Sequence, residues 1–343
     1  LIWTLLISSI TTSTVITMMS THWLLAWLSL ELNTLSILPI MMKHHHPRMT
    51  EATTKYFLVQ ATAAASIMFA STINAWQTGQ WTITNTNSAL ATTLTTIALM
   101  LKLGLAPVHL WYPEIMQGMP MYTAMLISTW QKLAPLSLLL MMHNTLPLPL
   151  ILTMSLLSTF TGGWAGLNQT QTRKLMAFSS IAHMGWLLAA LTINQTLTTL
   201  TMLIYITTTI AMFSIMATMK TKTTHDAGTT WALSPTLTTT MMITLMSLGG
   251  LPPLTGFTPK WLIIKDLTTT NLLLISTALL MTSLPSLFFY TRLAYLTMLT
   301  TPPTTTHMKL NWRFSTSLPP TTTTAMTTAC LLMPLAAALY TTT

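Results

Sequence analysis

Long apolar stretches, each closed by a charge, a proline or glycine, or a knot of polar residues, divide this chain from end to end. Runs of roughly 20 such residues have the length that crosses a hydrocarbon core. Read in order, they predict spans near 1–19, 22–42, 56–76, 88–110, 120–142, 148–168, 174–193, 196–219, 235–267, 271–291 and 321–340. The stretches lack the ten-residue alternation of a membrane barrel, and in lipid every backbone group must be paired within its own segment, so the spans are expected to be α-helices. The expected fold class is therefore an all-α polytopic membrane protein with about eleven transmembrane helices. A single bundle over 1–343 is expected, with a first half near 22–142, a second near 148–291 and a C-terminal helix near 321–340.

Two spans are interrupted. The fourth runs into LKLGLAPVHLWYPE at 101–114, and the ninth contains GGLPPLTGFTPKWLIIKDL at 249–267. Pro107, Pro252, Pro253 and Pro259 cannot continue an α-helix without losing backbone bonds, so breaks are expected near 104–113 and 249–259. Broken helices at membrane depth need a wet or protein-lined setting, and in transporters they mark the substrate path.

Composition supports the membrane reading: 51% of the 343 residues are hydrophobic and only 6% charged, against about 25% charged in a soluble domain. The net charge of +9, from 14 Lys and Arg against 5 acids, raises nucleic acid or anionic lipid as partners. The basic residues are scattered singly or in twos, without a soluble domain to present them as a stripe, which argues against nucleic acid. They collect instead at even-numbered connections: Lys43, Arg48 and Lys55, then Arg173 and Lys174, Lys220 and Lys222, and finally Arg292, Lys309 and Arg313. Only Lys265 breaks this pattern. Positive charge marks the inner side, so the N-terminus is expected inside and the C-terminus outside. Leu1 opens within an apolar run that shows no basic leader, Ala-x-Ala cleavage pattern or Arg-rich transit peptide, so no cleavable address is expected and the missing Met suggests a trimmed or incompletely recorded start.

Charges inside the spans carry the chemistry. Glu31 lies nine residues from His22 and eleven from Met42, roughly 14 Å from the nearer end at 1.5 Å per residue. Lys102, Lys132 and Lys260 lie in similar settings, each with a proline close by: Pro107, Pro135 and Pro259. Four unpaired charges at helix centres would cost about 10–14 kcal/mol on insertion scales, which rivals a protein's whole net stability of about 5–15 kcal/mol. These groups must therefore pair, find water or lose their charge. Desolvation disfavours the charged form and pairing restores it, so a small change in geometry moves a proton. A static salt bridge is the plainer reading for one pair, but three lysines share one acid, which favours titratable sites in series. Span 196–219 has Tyr205 as its only titratable group, so a path from Lys132 to Lys260 would need water, threonine hydroxyls or His183; His109, after Pro107, is a second possible relay histidine.

Other features read as bland. Cys330 is the only cysteine and is expected as a small buried hydrophobe, without a partner for a disulfide or iron–sulfur cluster. Lys43-His44-His45-His46 is a solvated loop run without metal-site spacing, so no metal is expected. Glu114 is a surface acid or the lining of a proton entrance. Asn168-Gln169-Thr170 and Asn194-Gln195-Thr196 fit the glycosylation pattern by chance in a threonine-rich chain.

Six strings resemble one family in its order: HWLLAWLSLELNTLSILPIM (22–41), HPRMTEATTKYFL (46–58), LKLGLAPVHLWYPE (101–114), TWQKLAPLS (129–137), GGWAGLNQTQTRKLMAFSSIAHMGW (162–186) and GGLPPLTGFTPKWLIIKDL (249–267). They resemble NADH dehydrogenase subunit 2 of vertebrate mitochondria, an antiporter-like membrane-arm subunit of respiratory complex I. The resemblance implies an antiporter-like fold shortened at the N-terminus and a midplane relay. In that relay Glu31 and Lys102 pair or separate, Lys132 passes the proton onward and Lys260 lies towards the other half-channel. It implies no cofactor in this chain, with NADH, FMN, iron–sulfur clusters and ubiquinone used elsewhere in the complex. It further implies the mitochondrial inner membrane with the N-terminus in the matrix. The implied partners are neighbouring antiporter-like and other membrane-arm subunits, accessory subunits, and lipids including cardiolipin. Two alternatives stay open: a stand-alone cation/proton antiporter, ordinarily richer in carboxylates, and a scaffold whose charges only fix helix packing.

Overall fold

Serine and threonine recur through the apolar stretches, and each would strand a hydroxyl in hydrocarbon. The computed structural model, which describes residues 2–43, 45–86, 88–232, 234–299, 320–331, 333–335, 338 and 340, shows how this is avoided. The hydroxyls bond back to carbonyls three or four residues earlier, as Ser13 Oγ does to the Ile10 carbonyl at 2.9 Å and Thr208 Oγ1 to the Ile204 carbonyl at 2.8 Å. Helices thus remain satisfied within themselves although their sequences are half polar in places. Among the described residues the regular structure is helical, apart from two isolated bridges, His22 with Thr82 and Gln171 with Thr223.

The chain divides into two compact units, Leu1–Leu157 and Ser158–Thr343. In the first, α1 (Ile2–Met19) packs on α2 (Trp23–Met41), and α2 on α3 (Pro47–Thr78). Helix α3 also holds α4 (Ala89–Leu103) and the short α5 (Trp111–Gly118). Then come α6 (Met121–Thr129), a single 3₁₀ turn at Trp130–Lys132, and α7 (Leu133–Met141), which lies against α1 and α4. Local chemistry sets the ends. His22 and His46 each cap the helix that follows by accepting from a backbone N–H two residues on, and Pro47 occupies the first turn of α3, where no donor is missed.

Helix α8 (Leu148–Gly166) runs from the first unit into the second. There α9 (Thr172–Leu191) packs on α10 (Gln195–Thr218), α10 on α12 (Pro235–Gly249), and α12 on α14 (Leu273–Leu299). Between them, α11 (Thr224–Thr229) sits beside α14, while α13 (Phe257–Thr269) touches α9, α10 and α14. The last described helix, α15 (Pro320–Leu331), lies on α10 and α12.

Eight of the described helices are long and apolar enough to cross a membrane, α6 and α7 being counted as one through their 3₁₀ turn as Met121–Met141. The remaining spans read from the sequence are the two interrupted ones and the C-terminal one. Interruption explains the shortfall for the first two: α4 and α12 have 15 residues each, about 22 Å of helix. Along α2 the exposed side chains Leu24, Leu25, Leu28, Leu32 and Leu35 form one stripe, with Ala26, Leu30, Asn33, Ile37 and Ile40 buried opposite. A helix with lipid on one side and the protein's own packing on the other has this pattern. Lys309, Arg313 and His44 lie outside the described residues.

Candidate functional site

Both interruptions are made the same way. Helix α4 ends at Leu103 with Gly104 in the left-handed region (φ +74°), and α12 ends at Gly249 with Gly250 at φ +80°. In each, the following residue reaches back five positions: Leu105 N–H donates to the Met100 carbonyl and Leu251 N–H to the Met246 carbonyl. Only glycine adopts this turn without strain, and it satisfies some, not all, of the helix's last carbonyls. The remaining ones draw polar side chains. The Gln60 amide donates to the Lys102 carbonyl at 3.5 Å, and the Lys260 ammonium to the Gly249 carbonyl at 2.8 Å. A broken helix thus brings a partial negative charge to each lysine's neighbourhood.

In the first unit, Lys102 and Lys132 line one cavity. Lys102 is in the last turn of α4 and 6% exposed; Lys132 closes the 3₁₀ turn and is 3% exposed. The cavity has about 20 Å³ open to water centres, room for roughly one water, since a site needs about 10–15 Å³. Its polar walls are Asn33, Thr34, Gln60 and Gln131, its aromatic walls Tyr56, Trp111 and Tyr112. The Gln131 amide donates to Asn33 Oδ1 at 3.1 Å, tying the turn of Lys132 to α2. The Lys132 ammonium lies 4.9 Å from the centre of the Tyr112 ring, within the range of a cation–π contact.

Glu31, on α2, is half-buried and outside the cavity wall, two residues from Asn33. Its charge acts on Lys102, yet no ion pair within 4.0 Å joins the two. Glu31 Oε2 and Lys102 Nζ are both buried without a hydrogen-bond partner. Only Lys102 of the two lines the water-sized space, and a buried polar atom left unmet is costly unless water or a partner reaches it. His109 stands apart from this cavity, half-exposed, its Nδ1 3.2 Å from the Pro107 carbonyl. Glu114, on α5, faces Lys55, whose ammonium is 2.8 Å from both Glu114 and Glu51.

In the second unit, Lys260 and His183 line a second cavity, of about 30 Å³, together with Tyr205, Thr201, Thr208 and Ser247. His183 is half-buried on α9, with Tyr205 tilted against its ring at 5.9 Å and the Tyr290 hydroxyl 3.4 Å from its Nε2. The structure therefore gathers Lys260, His183 and Tyr205 around one water-sized space, and Lys102 and Lys132 around another. The sequence reading passed over Asn33, Gln60, Gln131, Tyr56 and Tyr112. An amide in an apolar run was the available signal for the first three; nothing in the sequence singled out the two tyrosines.

A family model for the transmembrane region of NADH:quinone oxidoreductases and Mrp antiporters matches residues 20–286, and one for the C-terminus of NADH dehydrogenase subunit 2 matches residues 287–340. The NADH-ubiquinone oxidoreductase chain 2 of Sylvisorex ollula is 49% identical over 339 residues, covering 98% of both chains. Among solved structures, a chain of respiratory complex I from Thermus thermophilus with bound aureothin superposes with a TM-score of 0.85 at 26% identity, over 98% of this chain and 77% of that one. A chain of the Mrp complex from Dietzia sp. shares the fold at a TM-score of 0.79 and 17% identity, over 87% of this chain and 60% of the other.

Proposed function

Since this chain belongs to the NADH:quinone oxidoreductase/Mrp antiporter membrane family, and within it to the subunit 2 chains of NADH dehydrogenase, we propose that it moves protons through the membrane arm of respiratory complex I by a relay of Glu31, Lys102, Lys132 and Lys260. It is a multi-pass, antiporter-like membrane subunit of that complex. The relay and its direction are our reading. Its single strongest support is the first cavity, where two buried lysines share a water-sized space while Glu31 acts on one of them without being bound to it.

In this reading a proton enters near Lys102 when Glu31 and Lys102 separate, passes by cavity water to Lys132, and continues through the second unit, where His183 and Tyr205 stand beside Lys260. His109 has no place on this route. Protons travel from the matrix to the intermembrane space of the mitochondrial inner membrane, with the N-terminus in the matrix, as the basic even-numbered connections suggest. Redox chemistry with NADH, FMN, iron–sulfur clusters and ubiquinone belongs to other subunits. Neighbouring membrane-arm subunits, accessory subunits and lipids such as cardiolipin are the expected partners.

Lys132→Met and Glu31→Gln test the relay. Each is expected to leave the complex assembled and to lower the protons moved per electron, read in sealed vesicles during NADH oxidation. Unchanged stoichiometry and turnover in both variants rejects the relay, while failure of both to assemble points to a scaffold.

A further inference from the structure

The side chain that faces the Lys132 ammonium is an aromatic ring. Its centre lies 4.9 Å from Nζ, and both residues line the first cavity. Tyr112 is only 1% exposed, and its ring is fixed by neighbours. Trp111 meets it edge-on, with centroids 5.6 Å apart at 87°, and Tyr56 tilts against Trp111 at 6.2 Å. Helix α5, which carries Trp111 and Tyr112, is itself pinned. Gly118 lies so close to α3 that a Cβ there would meet the Ala52 Cβ at 2.8 Å and the Arg48 carbonyl at 2.9 Å. Lys55 on α3 holds Glu114 on α5 at 2.8 Å. Both chain ends of α5 are irregular, the break after Gly104 on one side and Met119-Pro120 on the other, so these tethers to α3 set where the ring stands.

We propose that Tyr112 is a positioning residue for Lys132, its ring face being the resting place of the charged ammonium beside the cavity. The proposal rests on the reading of Lys132 as a relay member. A ring quadrupole attracts the ammonium and has little hold on the neutral amine. When an N–H bond of Lys132 breaks and the proton passes to a cavity water, the lone pair stays on Nζ and the attraction is lost. The ring then holds the side chain less firmly, and the attraction returns on reprotonation. A buried carboxylate in the same place would bind the ammonium far more strongly and hinder release.

The test compares Tyr112→Leu, Tyr112→Phe, Lys132→Met and the double variant Tyr112→Leu with Lys132→Met, in the assembled complex in sealed vesicles. Tyr112→Leu is expected to slow proton translocation on the order of tenfold, and Tyr112→Phe, which keeps the ring face, to recover most of it. In the double variant the tyrosine change is expected to add nothing to Lys132→Met, because the ring acts through the lysine. If Tyr112→Leu prevents assembly, Tyr112→Met supplies the same comparison without an aromatic face. Lys132→Met stalling translocation while Tyr112→Leu or Tyr112→Met does not overturns this inference and leaves the relay standing, as does a double variant clearly worse than Lys132→Met. Normal translocation in Lys132→Met overturns both.

Discussion

At the scale of single residues, the four charged side chains are set apart by what surrounds them. Lys260 donates to the Gly249 carbonyl, and the neighbouring Gly250 leaves the space it needs: a Cβ at Gly250 would stand 2.8 Å from Nζ and 2.9 Å from Cδ. The same residue holds φ at +80°, which costs an L side chain about 1–2 kcal/mol. Gly250→Ala is therefore expected to destabilise α12's end by about that much and to push Lys260 off the carbonyl. Protons moved per electron should fall by more than the amount of assembled complex does. Equal falls in both would mean that the lysine's seat is unimportant. Of these local facts, Glu31, Lys102, Lys132 and Lys260 were legible in the sequence, because ionisable groups in apolar runs are expensive enough to stand out. Asn33, Gln60 and Gln131 were not, since a neutral amide costs less and its meaning depends on which way its helix face turns.

At the scale of elements, the two breaks show how a short local signal becomes a site. Gly104 and Gly250 end their helices alike, and the prolines downstream keep the chain from resuming at once. The sequence located both breaks, yet the number of whole crossing helices depended on them: α4 and α12 are too short to span alone. Outside the spans, α11 offers a cleaner view of capping. Thr223 Oγ1 accepts from the Asp226 N–H, and the Asp226 carboxylate accepts from the N–H groups of Thr223 at 2.9 Å and Lys222 at 3.2 Å. The Thr223 backbone N–H is the main cause that holds this carboxyl below its ordinary value. A lowered folded value means that the cap's contribution is complete above the unfolded carboxyl's pKa and is lost as pH falls through the folded one. Amide exchange at 222–226 is thus expected to accelerate on acidification beyond the intrinsic rate change. Asp226→Ala should accelerate it about fivefold at neutral pH, equivalent to about 1 kcal/mol for a lost cap. Exchange unchanged by the substitution would show the cap to be idle.

At the scale of the whole molecule, each of the two compact units contains an interrupted helix, a lysine near the interruption and a water-sized cavity. That repetition suits titratable sites used in series. The basic connections predict a direction: with a single cysteine introduced in each, a membrane-impermeant thiol probe added from the matrix side should label the 43–46 connection, and the 143–147 connection should react only from the opposite side. The reverse pattern would invert the proposed topology without disturbing the relay.

From the residue order alone came the solvent of this protein, the rough number of its spans, the positions of its two breaks and the buried charges. Each depends on a property read along the chain: apolar length, a proline's missing N–H, or the desolvation cost of a charge. Only the folded chain decided that Lys102 and Lys132 share a cavity, that Tyr112 stands beneath Lys132, and that His183 joins Lys260 while His109 stays outside. Those outcomes turn on which faces of separate helices meet, and that is set by side chains far apart in sequence packing together, which no local pattern encodes.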